Sequence, residues 1–377
     1  MARGMPMVLL LCLCTGDLRA QDLAGLEVHG FVTQGFLYSS HNNYLTMPSS
    51  NGSPRWTDAA VSVVDSVSPD LRVGIQFHLY QLGDLGGQNI QIDWASGDYK
   101  LNDHFGVRAG KVKTALGLFN DAQDVDAIFL WTLLPQCSYP IDNKGFFLSH
   151  LGGEVYGDLP LGRAGGVQYR GHAGETNLDA NGGYLKQIAD AGLVFPTAPS
   201  GKTYGGDLRW DTPLQGLSIG SSGDVQALDG RASGGTLHAV PALINVYCAQ
   251  FKRGKLYFAG EYDRTPVAVT VTIEGTPISL PVDGRSWFAM GSYRVSEKIQ
   301  LGSYYSHFVN KAMDTRLSQN YSKDWVVSAR YDFDAYFYAK LEGHFLRGTA
   351  LGYYASSNPQ GLDPNSNMLA AKVGFSF

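Results

Sequence analysis

The stretch GLSIG, residues 216–220, matches on paper the pattern of a nucleophile elbow, in which a tight strand-to-helix turn presents a serine to a general base. Its surroundings deny it that turn. Leu217 and Ile219 alternate with Ser218 as in a strand, so no activated hydroxyl is expected. The nine histidines are scattered without a closely spaced metal-binding pair, and His78, His172 and His344 fall on the polar side of alternating segments. Cys137 and Cys248 are far apart in sequence and imply no disulfide framework. The residue types thus point to no catalytic site, no metal and no cofactor.

The placement of charge says more. Arg72 lies between Leu71 and Val73, Arg330 between Ala329 and Tyr331, Lys340 between Ala339 and Leu341, and Lys372 between Ala371 and Val373. A period of two puts such a base and its apolar neighbours on opposite faces of a strand. One face therefore carries Arg72, Arg170, Arg209, Arg294, Arg330, Lys340 and Lys372, with Asp93, Asp207, Glu261, Asp263, Asp332 and Glu342. The other face is apolar.

The elements that would position these charges recur along the chain. WVVSARYDF and FYAKLEGHFL flank a tight turn at Asp334 and Ala335, and both faces keep their character across it. Upstream hairpins turn through SEK, KRGK, DTPLQG and LPLG, and MLAAKVGFSF ends the sequence with the same alternation. Laid end to end, these segments give about sixteen strands. Short connections fall near 67–69, 97–103, 159–162, 211–214, 252–254, 296–298 and 334–335. Longer ones fall near 39–56, 81–88, 115–149, 174–201, 226–239, 265–283, 310–322 and 348–366. Alternating short turns and long loops predict a transmembrane antiparallel β-barrel, all-β, with periplasmic turns on one rim and extracellular loops on the other. The run at Phe377 must then pair with the strand that begins near Leu26.

Composition agrees with this architecture. MARGMPMVLLLCLCTGDLRAQ has the basic start, short apolar run and small Ala20 of a cleaved secretory signal, predicted as residues 1–20, and residues 21–377 form one domain. No later stretch has the length of a spanning helix. Gly is abundant at 46 residues, only 17% of residues are charged, and the net charge of -5 suggests no nucleic-acid partner. An exported chain of this kind fits the outer membrane of a Gram-negative bacterium, among lipid and lipopolysaccharide. A secreted all-β binding module fits less well.

EVHGFVTQGFLYSSHNNYLT, LRVGIQFHLYQLGDLGG, IDWASGDY, RAGKVKTALGLFND and LLPQCSYP together resemble porins of the phosphate-selective O and P superfamily, in its uncharacterised branch. The resemblance is dense over residues 25–145 and architectural beyond. It implies a sixteen-stranded barrel, commonly a homotrimer, delivered by the barrel assembly machinery, with the third long loop folded into the pore. It also implies basic groups after GLFN, where this chain reads DAQDVDAIFLWTLLPQ with Gln123 and Phe129. Since phosphate capture depends on clustered Lys and Arg, the expected function is passive diffusion of small hydrophilic solutes. The alternatives are an anion-selective channel for phosphate or other oxyanions, and an outer-membrane β-barrel hydrolase.

Two local expectations follow from the alternation. In FGVRAGKVK, strict period two would send Lys111 and Lys113 into lipid, at roughly 2–4 kcal/mol each near the midplane. A bulge at Gly110 is predicted to return both to the lumen beside Arg108. In the loop 115–149, the apolar run AIFLWTLL is expected to pack against the inner wall. That would hold Asp121, Asp124 and Asp126 at the constriction, opposite the basic face.

Overall fold

Alternation of apolar and polar residues is realised as sixteen strands among the residues that this computed structural model describes, which are 25–377 without 88 and 233. The expected signal at 1–20 lies outside the described residues. The strands are β1 (Leu26–Ser39), β2 (Ser53–Ser66), β3 (Leu71–Leu82), β4 (Gln91–Asn102), β5 (Phe105–Lys113), β6 (Ser149–Pro160), β7 (Gly166–Asn177) and β8 (Ser200–Asp211). They continue as β9 (Leu217–Ala232), β10 (Gly235–Arg253), β11 (Leu256–Ile273), β12 (Thr276–Arg294), β13 (Ile299–Asn310), β14 (Tyr321–Asp332), β15 (Phe337–Arg347) and β16 (Asn365–Ser376). Each pairs antiparallel with its sequence neighbours, and β1 pairs with β16, so the sheet closes. At the seam Val32 stands opposite Phe375, and Gly30 and Phe377 exchange two backbone hydrogen bonds of 3.0 Å. Closure leaves no unpaired edge around the wall, which lipid could not satisfy.

The two faces are inverted relative to a water-soluble protein. On β14, Asp324, Val326 and Ser328 are buried, whereas Trp325 is 53% and Val327 47% exposed on the outer face. The same holds on β16, with Lys372 buried and Val373 57% exposed. Such an exterior is stable only against hydrocarbon. Aromatic rings mark its margins. Trp287, Tyr305 and Trp325 form a row at 5.2 and 5.8 Å toward the long loops, and Phe337, Phe375 and Phe377 another at 4.8 and 5.9 Å by the short turns.

Two connections expected to be long are tight turns on extended hairpins. Where 265–283 was expected to loop, β11 and β12 run on in register, with Val269 opposite Leu280 and Val271 opposite Ile278. The alternation in VAVTVTI continues the sheet, and Glu274 and Gly275 turn it with φ of 49° and 81°, the two positive angles of a type I′ turn. Likewise β9 and β10 extend through 226–239.

Inside, apolar clusters fill much of the long-loop half. Tyr44, Leu45 and Met47 of the first loop pack with Trp56, Tyr80, Leu82, Tyr353 and Tyr354. A second cluster joins Phe146, Leu178 and Leu193 to Leu237 and Val271, beside the helix Gly183–Asp190.

Candidate functional site

The loop between β5 and β6, residues 114–148, runs along the inner wall, ending in a short helix, Lys144–Leu148. Where such a loop is neither helix nor strand, its backbone must find partners among side chains. Here the wall supplies them. Glu342 of β15 accepts Thr132 N and Leu133 N, each at 3.0 Å, and Glu261 of β11 accepts Leu118 N at 2.7 Å. Arg330 donates to Phe129 O at 2.9 Å, Arg209 to Gly117 O at 2.5 Å, and Ser222 receives Gly117 N at 2.9 Å.

Burial of Leu130, Trp131 and Leu133 in AIFLWTLL adds the apolar half of this attachment, whereas Ile128 in the same run stays 61% exposed. Leu130 and Trp131, with Phe119 and Tyr139, pack on Ala259, Phe288, Met290, Tyr304 and Val326 of β11 to β14. Trp131 stands edge-on to Tyr304 at 5.1 Å. Gly302 makes the room, because a Cβ there would lie 2.6 Å from Leu130 and 2.8 Å from Trp131.

The three loop carboxylates touch wall bases directly. Asp126 meets Lys372 at 2.7 Å, Lys340 at 2.9 Å and the Tyr338 hydroxyl at 2.8 Å. Burial pushes its carboxyl up, but the two ammonium groups outweigh burial and hold it well below the usual carboxylate range. Asp124 is buried, 2.8 Å from both Lys113 and Gln76. Asp121 takes two bonds from Arg170, at 2.6 and 3.0 Å, which hold it below the usual range against burial. Its side chain remains 37% exposed, against 9% for Asp126 and 0% for Asp124, so of the three it faces open space most. The acids and bases expected to oppose one another across a gap therefore form contact pairs.

Other bases on the inner face have their own acids. Arg108 bridges Asp98 and Glu154, each at 2.8 Å, Arg209 meets Asp207 at 3.0 Å, Arg330 meets Asp332 at 2.7 Å and Arg294 meets the same Asp332 at 3.3 Å. Arg72 stands farther from its partner, 3.9 Å from Glu27. Arg72, Arg108, Lys113 and Arg170 line a recess of about 430 Å³ on the short-turn side, with Asp98 and Asp121.

Lys111 corrects the expectation for β5. Gly110 has φ +126°, yet both ladders pass it without a shift, and the register irregularities lie in β4, one between the partners of Gln76 and Phe77 and one between Lys100 and Asn102. Lys111 thus shares the outer face with Leu151, which is 62% exposed, and its Nζ donates to Ile92 O at 2.5 Å. It lies two residues before the long-loop end of the strand, and a backbone carbonyl takes the charge that the lumen was expected to take. Lys113 does reach inward, with Nζ on Asp124 and 5.8 Å from the Trp94 ring.

Ser218 lies within β9, opposite Asp211 and Gln250, and not on a strand-to-helix turn. His78 sits between Asp58 at 2.6 Å and Asp93 at 3.2 Å, His172 meets Asp224 at 3.3 Å, and His344 meets Asp324 at 2.7 Å and Glu342 at 3.0 Å. Among the described residues no group of three His, Cys, Asp or Glu is placed to hold a metal ion. Sequence reasoning missed Lys144. It is buried with Nζ 3.3 Å from His78 Nε2, and although burial works against its ammonium, Asp58, Asp93, Asp124 and Asp126 outweigh that and raise it. Lys144, the one Lys or Arg in the otherwise acidic loop 114–148, was the available signal.

No family model matches this sequence, and no curated protein matches it. Solved structures do match over 93% of the chain. They include an anion-selective porin from Comamonas acidovorans (13% identity, 98% of that chain, TM-score 0.57) and OmpF of Salmonella typhi in complex with daunomycin (11%, 97%, 0.61). The outer membrane channel DcaP of Acinetobacter baumannii is similar at 10% identity, over 97% of its chain, with TM-score 0.54. At these identities the likeness establishes the fold, a closed sixteen-stranded barrel.

Proposed function

We propose that this chain is a porin of a Gram-negative outer membrane, giving passive diffusion of small hydrophilic solutes, with the loop 114–148 as its constriction. The observation that carries the reading is the loop fastened to the inner wall of a barrel whose exterior is apolar and whose interior is charged. Solutes would pass beside Asp121, Arg170 and the bases of the short-turn recess, without cofactor or energy source. Assembly as a homotrimer among lipopolysaccharide, by the barrel assembly machinery, belongs to the same proposal.

A second reading, an anion-selective channel, is favoured by the four bases of the short-turn recess and by the likeness to an anion-selective porin. Purified protein in a planar bilayer tests both. Stepwise conductance supports a pore, and the reversal potential in a salt gradient separates a weakly selective pore from an anion channel. Absence of conductance steps from folded protein would remove both.

A further inference from the structure

Lys113, Arg170, Lys340 and Lys372 of the inner face each touch a carboxylate. The outer face holds a pair of bases that do not. Lys323 of β14 and Arg347 of β15 are both exposed and stand directly opposite one another in the ladder. Neither makes an ion pair with a carboxylate among the described residues, and Lys323 has only the Tyr321 ring beside it, at 5.5 Å. The residues that flank the pair in the same row are His307 of β13 and Asn365 of β16, so the neighbouring strands bring no acid to it.

Like charges directly opposite on one face of a sheet repel. The same wall shows how such a pair is relieved where the chain has an acid to use. Arg264 of β11 and Arg285 of β12 are also directly opposite, and Asp283 accepts from both, at 2.9 Å each. Lys323 and Arg347 have no counterpart of Asp283. An anion from outside the chain would take its place.

Position decides what kind of anion. Each base lies two residues from an outward ring, Trp325 and Phe345, and these rings are themselves paired and exposed. Trp325 ends the aromatic row toward the long loops, and rings of this kind sit at the headgroup level of a bilayer. Below them the exposed Val327 and Leu341 continue the apolar surface. A ligand at this place meets two positive charges at one end and hydrocarbon-facing side chains at the other, which fits a phosphorylated lipid. The guanidinium matches phosphate oxygens in a fork, and the ammonium adds a second, mobile donor. A free anion would gain nothing from the rings.

We infer that Lys323 and Arg347 bind a phosphate group of an outer-leaflet lipid whose acyl chains run down over Trp325, Phe345 and Val327. The inference rests on the outer-membrane reading for the leaflet, since it takes the long loops as the outer rim, where lipopolysaccharide supplies phosphate groups on an acylated headgroup. It names the residues that would hold that lipid to this wall.

Native mass spectrometry of the full chain in detergent tests it without requiring conduction, with diphosphoryl lipid A, the same lipid stripped of its phosphates, or inorganic phosphate as the probe. A saturable adduct of the diphosphoryl lipid is expected, at least tenfold tighter than that of the stripped lipid, with no adduct of inorganic phosphate. Lys323→Gln together with Arg347→Gln should weaken it at least tenfold, and Arg163→Gln on the short-turn rim should leave it unaltered. Both bases are exposed, and heat-modifiable gel migration reads the folding of each variant. Equal binding of the stripped lipid, an inorganic phosphate adduct as tight as the lipid's, no lipid adduct, or undiminished binding in the folded double variant would each overturn the site. Loss of association between copies in the double variant, with lipid binding intact, would make the row a contact between subunits and overturn it too. Conductance of the same preparation is a separate readout: lipid binding without conductance would remove the porin reading and leave the site, and conductance without lipid binding would do the reverse.

Discussion

Lys372 Nζ and Asp126 Oδ1 are 2.7 Å apart, and this contact ties the last strand of the barrel to a loop that leaves the wall between β5 and β6. Lys340 holds the other carboxylate oxygen at 2.9 Å, and Lys372 also lies 4.4 Å from the Trp56 ring. Both lysines are buried. Removing one partner from such a cluster leaves uncompensated buried charge, which costs about 3–5 kcal/mol. Asp126→Asn is therefore expected to loosen the loop without unfolding the wall, whose ladders do not involve it. Limited proteolysis within 114–148, together with unchanged heat-modifiable migration, would show this, and a loop as resistant as wild type would count against the tether.

Replacing Asp121, Asp124 and Asp126 together with Asn removes three negative charges and frees Arg170, Lys113, Lys340 and Lys372. In a narrow, partly desolvated passage these charges are weakly screened, whereas charges at an open rim fade over a Debye length of ~8 Å. The reversal potential in a salt gradient is expected to move toward anion preference, with the barrel still assembled. An unchanged potential would mean that ions do not pass near these groups.

The acid sensitivity of the tether follows from the same pairs. The Asp126 carboxyl is depressed below its unfolded value of about 3.9. A depressed carboxyl contributes stability that is full above the unfolded value and declines as pH falls toward the folded one. The loop should then resist protease equally at pH 7 and pH 5 and begin to loosen only below about pH 4. The Asp126→Asn loop should already be loose at neutral pH, and release of the wild-type loop between pH 7 and 5 would contradict this account.

The wall was legible because a barrel repeats one local rule. Trp325, Val327 and Tyr331 outside and Ser328 and Arg330 inside can be read from period two alone, and so can the inward placement of Glu261 and Glu342. What these two glutamates bind was not legible, because backbone N–H groups of Leu118, Thr132 and Leu133 leave no mark in residue type. The long hairpin β11–β12 was misplaced as a loop because its prolines and turn residues mimic one, although VAVTVTI keeps the alternation. Lys111 was misassigned for a different reason. A lysine on the outer face does not require a bulge, because the Ile92 carbonyl near the strand end accepts its ammonium.

Gly110 still carries a constraint, even without a register shift. Its φ of +126° is open to glycine and strained for any L side chain, and a Cβ there would lie 2.3 Å from Ala95 O in the neighbouring strand. Gly110→Ala is therefore expected to cut the yield of heat-modifiable barrel severely, because the β4–β5 ladder would have to part to admit the methyl group. Gly97, across the same pair of strands, is the control: its Cβ would meet only Val73 Cγ1, at 3.9 Å, and its φ is ordinary. Gly97→Ala should assemble as wild type. If both variants refold to the same yield from urea into detergent, the backbone at Gly110 does not limit assembly, and the strand would have to relax around the added carbon.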